Sequence, residues 1–253
     1  MPVWAPPLLA VQFLTRLPVP PLARLSPEQA KAGLHRAIAW LPLAGTLVGL
    51  ITAGTYAAAL LAWSRPVAAF LALAVEAWLT GAFHEDAVAD FCDAFGGSAS
   101  GEEARRILKD SRVGSYGALG LVLLVGLRAA AMAALPARLA VAAIVGAATM
   151  GRLWAVCLLA LCPPALVGPG LAKDLGGLPR GGAMLAMLLA LPGLAVMTLG
   201  KPPAVLASLV LGAVALPGLA GFLRRRIGGS TGDCLGFAAY LGQLTLLLAA
   251  SAR

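Results

Sequence analysis

Long apolar runs separated by short polar turns make up most of the chain, and the polar residues fall largely in the turns. Runs near 20 residues match the hydrocarbon thickness of a bilayer. They predict spans at about Ala37–Trp63, Val67–Phe83, Tyr116–Leu135, Leu139–Leu161, Gly182–Leu199, Pro203–Leu223 and Cys234–Ala250. Pro136-Ala137-Arg138 and Gly200-Lys201-Pro202 are the tightest turns between them. Within the first span, Gly45-xxx-Gly49 is a small-residue pair that lets another helix come close. Ahead of the spans, Leu8 to Leu14 is too short to cross. Pro6, Pro7 and Pro18 interrupt it and no basic stretch precedes it, so it reads as an interfacial or re-entrant helix and not as a signal peptide. Ser26-Pro27-Glu28 marks a helix start, with Ser as N-cap and Pro at the first position. The expected fold class is all-α: a polytopic transmembrane helical bundle of about seven spans plus an N-terminal interfacial helix. It forms a single integral-membrane domain, 1–253.

Composition agrees. Of 253 residues, 60% are hydrophobic and 12% charged, with a mean hydropathy of +0.89; soluble domains carry roughly 25% charged residues. The net charge of +8 is scattered between spans and forms no stripe, which argues against nucleic acid as a partner. The basic residues act instead as topology signals and as contacts to anionic lipid or phosphate. Arg16, Arg24, Lys31, Arg36, Arg105, Arg106, Lys109, Arg112, Lys173, Arg180, Arg224, Arg225 and Arg226 fall on one side, thirteen in all. The other side has four: Arg65, Arg138, Lys201 and Arg253. This bias puts segments 1–36, 84–115 and 224–233 in the cytoplasm and the C-terminus outside. The four cysteines show neither CxxC pairing nor zinc spacing, so neither a disulfide nor zinc is expected.

The chemistry concentrates between Gly81 and Gly117. Seven of the eleven acidic residues lie there: Glu85, Asp86, Asp90, Asp93, Glu102, Glu103 and Asp110. On a helix, Asp86, Asp90 and Asp93 are spaced i, i+4, i+7 and share a face. Crowded carboxylates repel unless a cation sits between them. Mg²⁺, which takes one or two carboxylates plus substrate phosphates, is the natural counter-charge. A solvated acidic face would be the simpler reading of an isolated run, but the rest of this chain is nearly devoid of acid.

Two further pieces share that side. Arg105, Arg106, Lys109 and Arg112 follow the acids in one loop and suit a pyrophosphate, although positive-inside charges alone would also place them there. Gly228-Gly229-Ser230-Thr231-Gly232-Asp233 opens the last span. It reads either as an anion site of exposed N–H groups or as a plain helix cap by Asp233 or Thr231. Together the pieces point to metal-assisted phosphoryl-group transfer on a substrate that touches the membrane.

Six ordered motifs resemble the adenosylcobinamide-GDP ribazoletransferase (cobalamin synthase) family across most of the chain. They are Phe13-Leu-Thr-Arg-Leu-Pro18, Trp40-Leu-Pro42-Leu-Ala-Gly45, His84-Glu-Asp-Ala-Val-Ala-Asp90-Phe-Cys-Asp93, Ile107-Leu-Lys-Asp-Ser-Arg112, Gly151-Arg152 and Gly228-Gly-Ser-Thr-Gly-Asp-Cys-Leu-Gly236. Ala87 departs from the family's usual Gly. The resemblance implies that a ribose hydroxyl of α-ribazole, or of its 5′-phosphate, displaces GMP from adenosylcobinamide-GDP with Mg²⁺. It implies metal ligation by Asp86, Asp90 and Asp93, with Glu85 and Asp110 as further candidates and Asp93 helping to deprotonate the hydroxyl. Lys109 and Arg112 would neutralise phosphate. Ser230, Thr231 and Asp233, with Arg105 and Arg106, would hold metal or nucleotide. The expected site of action is the cytoplasmic face of a bacterial or archaeal inner membrane, and a homo-oligomer is compatible with the sequence.

Two other readings compete. A CDP-alcohol-type phosphotransferase acting on a lipid would place an Arg soon after the first Asp, and no Arg falls between Asp86 and Asp93. A cation transporter would need acids near the midplane, where only Glu76 with Arg128 or Arg152 could serve. The charge bias predicts that reporter fusions at Arg225 read as inside and fusions at Ala137 as outside. The two on one side would overturn the assignment of a single working face.

Overall fold

The computed structural model describes residues 1–97, 99–165 and 177–252, so Lys173 and Arg253 of the charge count lie outside the described residues. Helix α1 (Ala5–Leu14) begins on Pro6 and Pro7, whose missing N–H groups cost nothing in a first turn. Helix α2 (Pro27–Ala37) is held by a capping box. Gln29 N donates to Ser26 Oγ, and Ser26 N donates to Gln29 Oε1. A 3-10 turn carries α2 into α3 (Leu41–Ala59), giving a 33-residue helical stretch. After it come α4 (Arg65–Thr80), α5 (Phe83–Gly96), α6 (Glu102–Ile107), α7 (Ser115–Ala134) and α8 (Ala137–Leu161). The last three are α9 (Gly182–Gly200), α10 (Pro202–Ile227) and α11 (Gly232–Ser251). The expected all-α membrane bundle is what the described residues form. Their only strand-like feature is an isolated bridge between Pro164 and Ser230.

Helix α8 is the axis of the bundle. Every residue from Ala143 to Val156 is buried, as expected for a helix with no polar face. Lipid tails are as apolar as leucine, so helices here gain little from hydrophobic burial and associate through close packing at small residues. Gly45 and Gly49 set α3 against Ala148 and Val145 of α8, which is the contact their spacing predicts. Gly151 of α8 lies against the backbone of Ala239 on α11, and Gly242 of α11 lies against Trp154. Gly193 of α9 sits over Thr46 and Thr149, whose hydroxyls bond across α3 and α8 at 2.9 Å. The outer faces of α7, α9 and α10 present side chains such as Val122, Leu206 and Val214, each more than 60% exposed, to lipid.

Six described helices are long and apolar enough to cross a membrane, and the pair α4–α5, bent by 92°, makes a seventh crossing if taken together. Here the sequence reading needs adjustment. The second span ends at Thr80, and Gly81 (φ 72°) and Ala82 (φ 57°) turn the chain through two left-handed residues. The acidic stretch then starts as the second arm of a bent helix pair, a broken span or a re-entrant loop, and not as a free loop helix. Gly101 (φ 60°) holds the N-cap position of α6 and donates its N–H to Arg226 O at 2.8 Å, docking α6 on the end of α10.

The glycines at the α8 crossings are expected to resist substitution. A Cβ at Gly151 would press on Ala239 O and lie 2.6 Å from Gln243 Cγ, whereas a Cβ at Gly54 meets nothing within 4 Å. Gly151→Ala should lower stability by about 1–3 kcal/mol through overpacking. Gly54→Ala should raise it by about 0.5–1 kcal/mol through helix propensity. Thermal melting in detergent checks both, and equal melting points would contradict the packing described.

Candidate functional site

Helix α5 is wedged between the first turns of α7 and α11. Cys92 and Val88 face Gly120 of α7, Ala87 faces Gly236 of α11, and the rings of Phe91 and Phe237 stack at 3.8 Å. Asp93, at the far end of α5, reaches the start of α7, so the two helices run antiparallel. Gly114 N and Gly117 N donate to its two oxygens at 2.7 and 2.8 Å. Gly114 is the N-cap position of α7, which lacks a side-chain cap of its own. Asp93 therefore supplies from another helix the negative charge and the acceptors that this N-terminus needs.

The expected shared acid face exists. Asp86 is exposed and Asp90 half-buried. Asp90 stands within Coulombic reach of Asp86, Asp233 and Asp93, and Asp233 within reach of Asp86. Among the described residues none of these four carboxylates has an ion-pair partner. Four like charges without a basic neighbour form a cation-seeking arrangement. No three His, Cys, Asp or Glu side chains among the described residues are gathered as a ligand set.

Glu85 is not part of this face. One residue before Asp86 is about 100° round the helix, and Glu85 turns inward, to 3.9 Å from Arg128 Nη1. There it joins a buried polar group in the middle of the bundle. Arg128 Nη2 donates to Glu76 Oε2 at 2.7 Å, and Thr52 Oγ1 donates to the same oxygen at 3.1 Å. The Arg128 guanidinium lies 5.5 Å over the ring of Tyr240. Arg152, like Arg128, is 1% exposed, and its Nη1 donates to Ala148 O. The pair open to a midplane Glu76 is thus made with Arg128, and Arg152 stands nearby. Tyr240, Gln243, His84 and Thr52 were not singled out from sequence. Tyr240 and Gln243, spaced i, i+3 in an otherwise apolar span, are the one signal that could have found any of them.

The cationic loop is only partly free. Arg105 Nη1 donates to Ile227 O at 3.0 Å and so caps α10, while Arg106 and Lys109 are exposed. Asp110 is taken by Arg112 at 2.7 Å on an exposed turn, and the hydrogen bonds from Arg112 hold its carboxyl down at about 2. The glycine-rich loop resolves toward the cap. Gly228 (φ 80°) closes α10, and Thr231 Oγ1 accepts from Cys234 N as the N-cap of α11. Ser230 is buried and donates to Cys162 O at 2.7 Å. Of that loop, Asp233 is the residue brought to the acid face.

Two of these acids should respond oppositely to loss of charge in metal-free protein. Asp90→Asn relieves repulsion and should raise the melting temperature. Asp93→Asn leaves one backbone donor of α7 without its acceptor and should cost about 1–2 kcal/mol. Melting of both variants in EDTA tests this, and a stabilising Asp93→Asn would refute the capping role.

Over residues 6–251 the chain matches the profile of a family described as Cobalamin-5-phosphate synthase. It is 40% identical over 247 residues to an adenosylcobinamide-GDP ribazoletransferase of Leptothrix cholodnii, covering 95% of this chain and 92% of that one. Against the protein of the same name from Rhizobium etli it is 38% identical, covering 95% and 94%. Against that from Nitratidesulfovibrio vulgaris it is 40% identical, covering 97% and 94%. No solved structure matches the chain.

Proposed function

Because this chain belongs to the cobalamin-5-phosphate synthase family, we propose that it joins α-ribazole or its 5′-phosphate to adenosylcobinamide-GDP and releases GMP. The observation that carries this reading is the uncompensated acid face of Asp86, Asp90 and Asp233, with Asp93 at its edge. We place this end of the bundle in the cytoplasm, on the charge bias of its connections.

In the transfer, a ribose hydroxyl forms a bond to the phosphorus linked to cobinamide, the pyrophosphate P–O bond breaks, and GMP leaves with the electron pair. The hydroxyl proton must go to a nearby base. Asp93 is committed to the backbone of α7, whereas no hydrogen bond or ion pair among the described residues engages Asp90, so Asp90 is the better-placed acceptor. The unpaired carboxylates suit a divalent cation. Asp90 with Asp86 or Asp233 would supply the one or two carboxylates that Mg²⁺ takes alongside substrate phosphates, since the described residues gather no set of three. When bound, such an ion neutralises charge on the transferring phosphoryl and on the leaving group. Lys109 and Arg106, exposed cations on the segment between α5 and α7, would attract the substrate phosphates, and the apolar faces of the bundle keep the site at the membrane surface. The pair Glu76–Arg128 exists as a transporter reading would require, but family membership favours the transferase.

GMP release from adenosylcobinamide-GDP by the purified protein is the direct test. Turnover should require Mg²⁺ or Mn²⁺ and vanish in excess EDTA. Asp86→Asn and Asp90→Asn should each cost at least roughly 10²-fold in rate, about 2.8 kcal/mol at ~1.4 kcal/mol per decade. Glu103→Gln, on a short exposed helix, should cost less than about threefold. Equal losses in Asp90→Asn and Glu103→Gln, both folded, would remove the acid face from the mechanism.

A further inference from the structure

The buried group around Arg128 lies outside the acid face, and the transfer chemistry makes no direct use of it. Its position is informative. Glu76 lies on α4 and Glu85 on α5, on either side of the left-handed residues Gly81 and Ala82 where the crossing breaks by 92°. Arg128, from α7, addresses both: 2.7 Å to Glu76 and 3.9 Å to Glu85. Its Nε and Nη1, and Glu85 Oε2, make no hydrogen bond. The guanidinium therefore has donors free for tighter engagement of Glu85.

We propose that Arg128 is a positioning residue that spans the break, fixing the angle between α4 and α5 and with it the placement of Asp86, Asp90 and Asp93. Stability alone does not account for the group, since well-packed apolar residues often replace a buried ion pair at no loss. Apolar packing already favours a crossing angle, and a guanidinium hydrogen-bonded to Glu76 on one arm and 3.9 Å from Glu85 on the other adds a directional restraint across the break. The leverage is large. Asp93 lies eleven residues beyond Ala82, about 16 Å along the helix at 1.5 Å per residue. A rotation of about 10° at the break would carry it nearly 3 Å, against a tolerance of about 0.5 Å for a functional constellation. This inference rests on the acid face being the reaction site, but the clamp itself can be read without turnover.

The test uses the full chain in detergent or nanodiscs. Arg128→Lys keeps the charge but loses the fork. The double variant Glu76→Gln/Arg128→Gln removes both charges, so it should melt closer to wild type than either single variant does. In both proteins turnover should stay at least tenfold down, and the Mg²⁺ concentration for half-maximal rate should rise severalfold. The independent readout is native Cys92, which faces Gly120 across the α5–α7 contact. Its alkylation by N-ethylmaleimide, mapped by mass spectrometry, should speed severalfold in both variants while remaining unchanged in Glu103→Gln. Recovery of turnover together with stability in the double variant would make the pair merely structural and overturn the proposal. Unchanged Cys92 protection in both folded variants would overturn it too. Wild-type protein that releases no GMP would sink the functional reading and leave Cys92 alkylation to decide the clamp.

Discussion

A helix that breaks inside a membrane must satisfy every backbone group it frees, because no water is there to do so. This constraint governs the turn at Gly81–Ala82. Ala82 N donates back to Ala77 O at 2.7 Å, and Asp86 N picks up Ala82 O at 2.9 Å as the new helix begins. The Leu79 carbonyl, which α4 leaves open, accepts from Arg16 N at 2.8 Å. The segment after α1 is thus part of the break, and the Arg16 side chain lies over Gly81, where a Cβ would meet it at 2.9 Å. With these backbone groups satisfied, α5 runs between α7 and α11 carrying its charges to the ends of both.

The rest of the site follows from that placement. Running antiparallel to α7, α5 delivers Asp93 to an N-terminus short of acceptors and Asp90 to the start of α11, where Asp233 waits. One helix thus serves two purposes: its outer face gathers acids and its inner face anchors on Arg128. The glycine-rich turn is positioned by ordinary means. Gly228 stops α10, Thr231 starts α11, and Ser230 ties the turn to Cys162.

Much of this was legible in the residues. Spans show as length and apolarity, and the Gly45–Gly49 pair shows as spacing, because both are local properties. The shared face of Asp86 and Asp90 follows from helical period alone. What stayed hidden depends on partners distant in sequence. Asp93 has the same spacing as its neighbours, and only its meeting with Gly114 and Gly117 gives it a second duty. Glu85 looks like one more acid in the run until the direction of the bundle interior is known. The break itself leaves little trace. Gly81 falls inside the expected span Val67–Phe83, and Ala82 has no side-chain signal for a left-handed backbone. Glu76 was visible as an isolated charge in an apolar span, but the choice of Arg128 over Arg152 needed three dimensions.

The Glu76–Arg128 pair also bears on how the chain enters the bilayer. A lone charge at the centre of an inserting helix costs roughly 2.5–3.5 kcal/mol on insertion scales. Helix α4 is synthesised well before α7, so Glu76 reaches the membrane without its counter-ion. Thr52 of α3 offers it one hydrogen bond, but its counter-ion comes with Arg128, which in turn finds Glu76 already there. Keeping α4 beside α7 during insertion would spare both charges part of that cost and so tie membrane entry to tertiary contact.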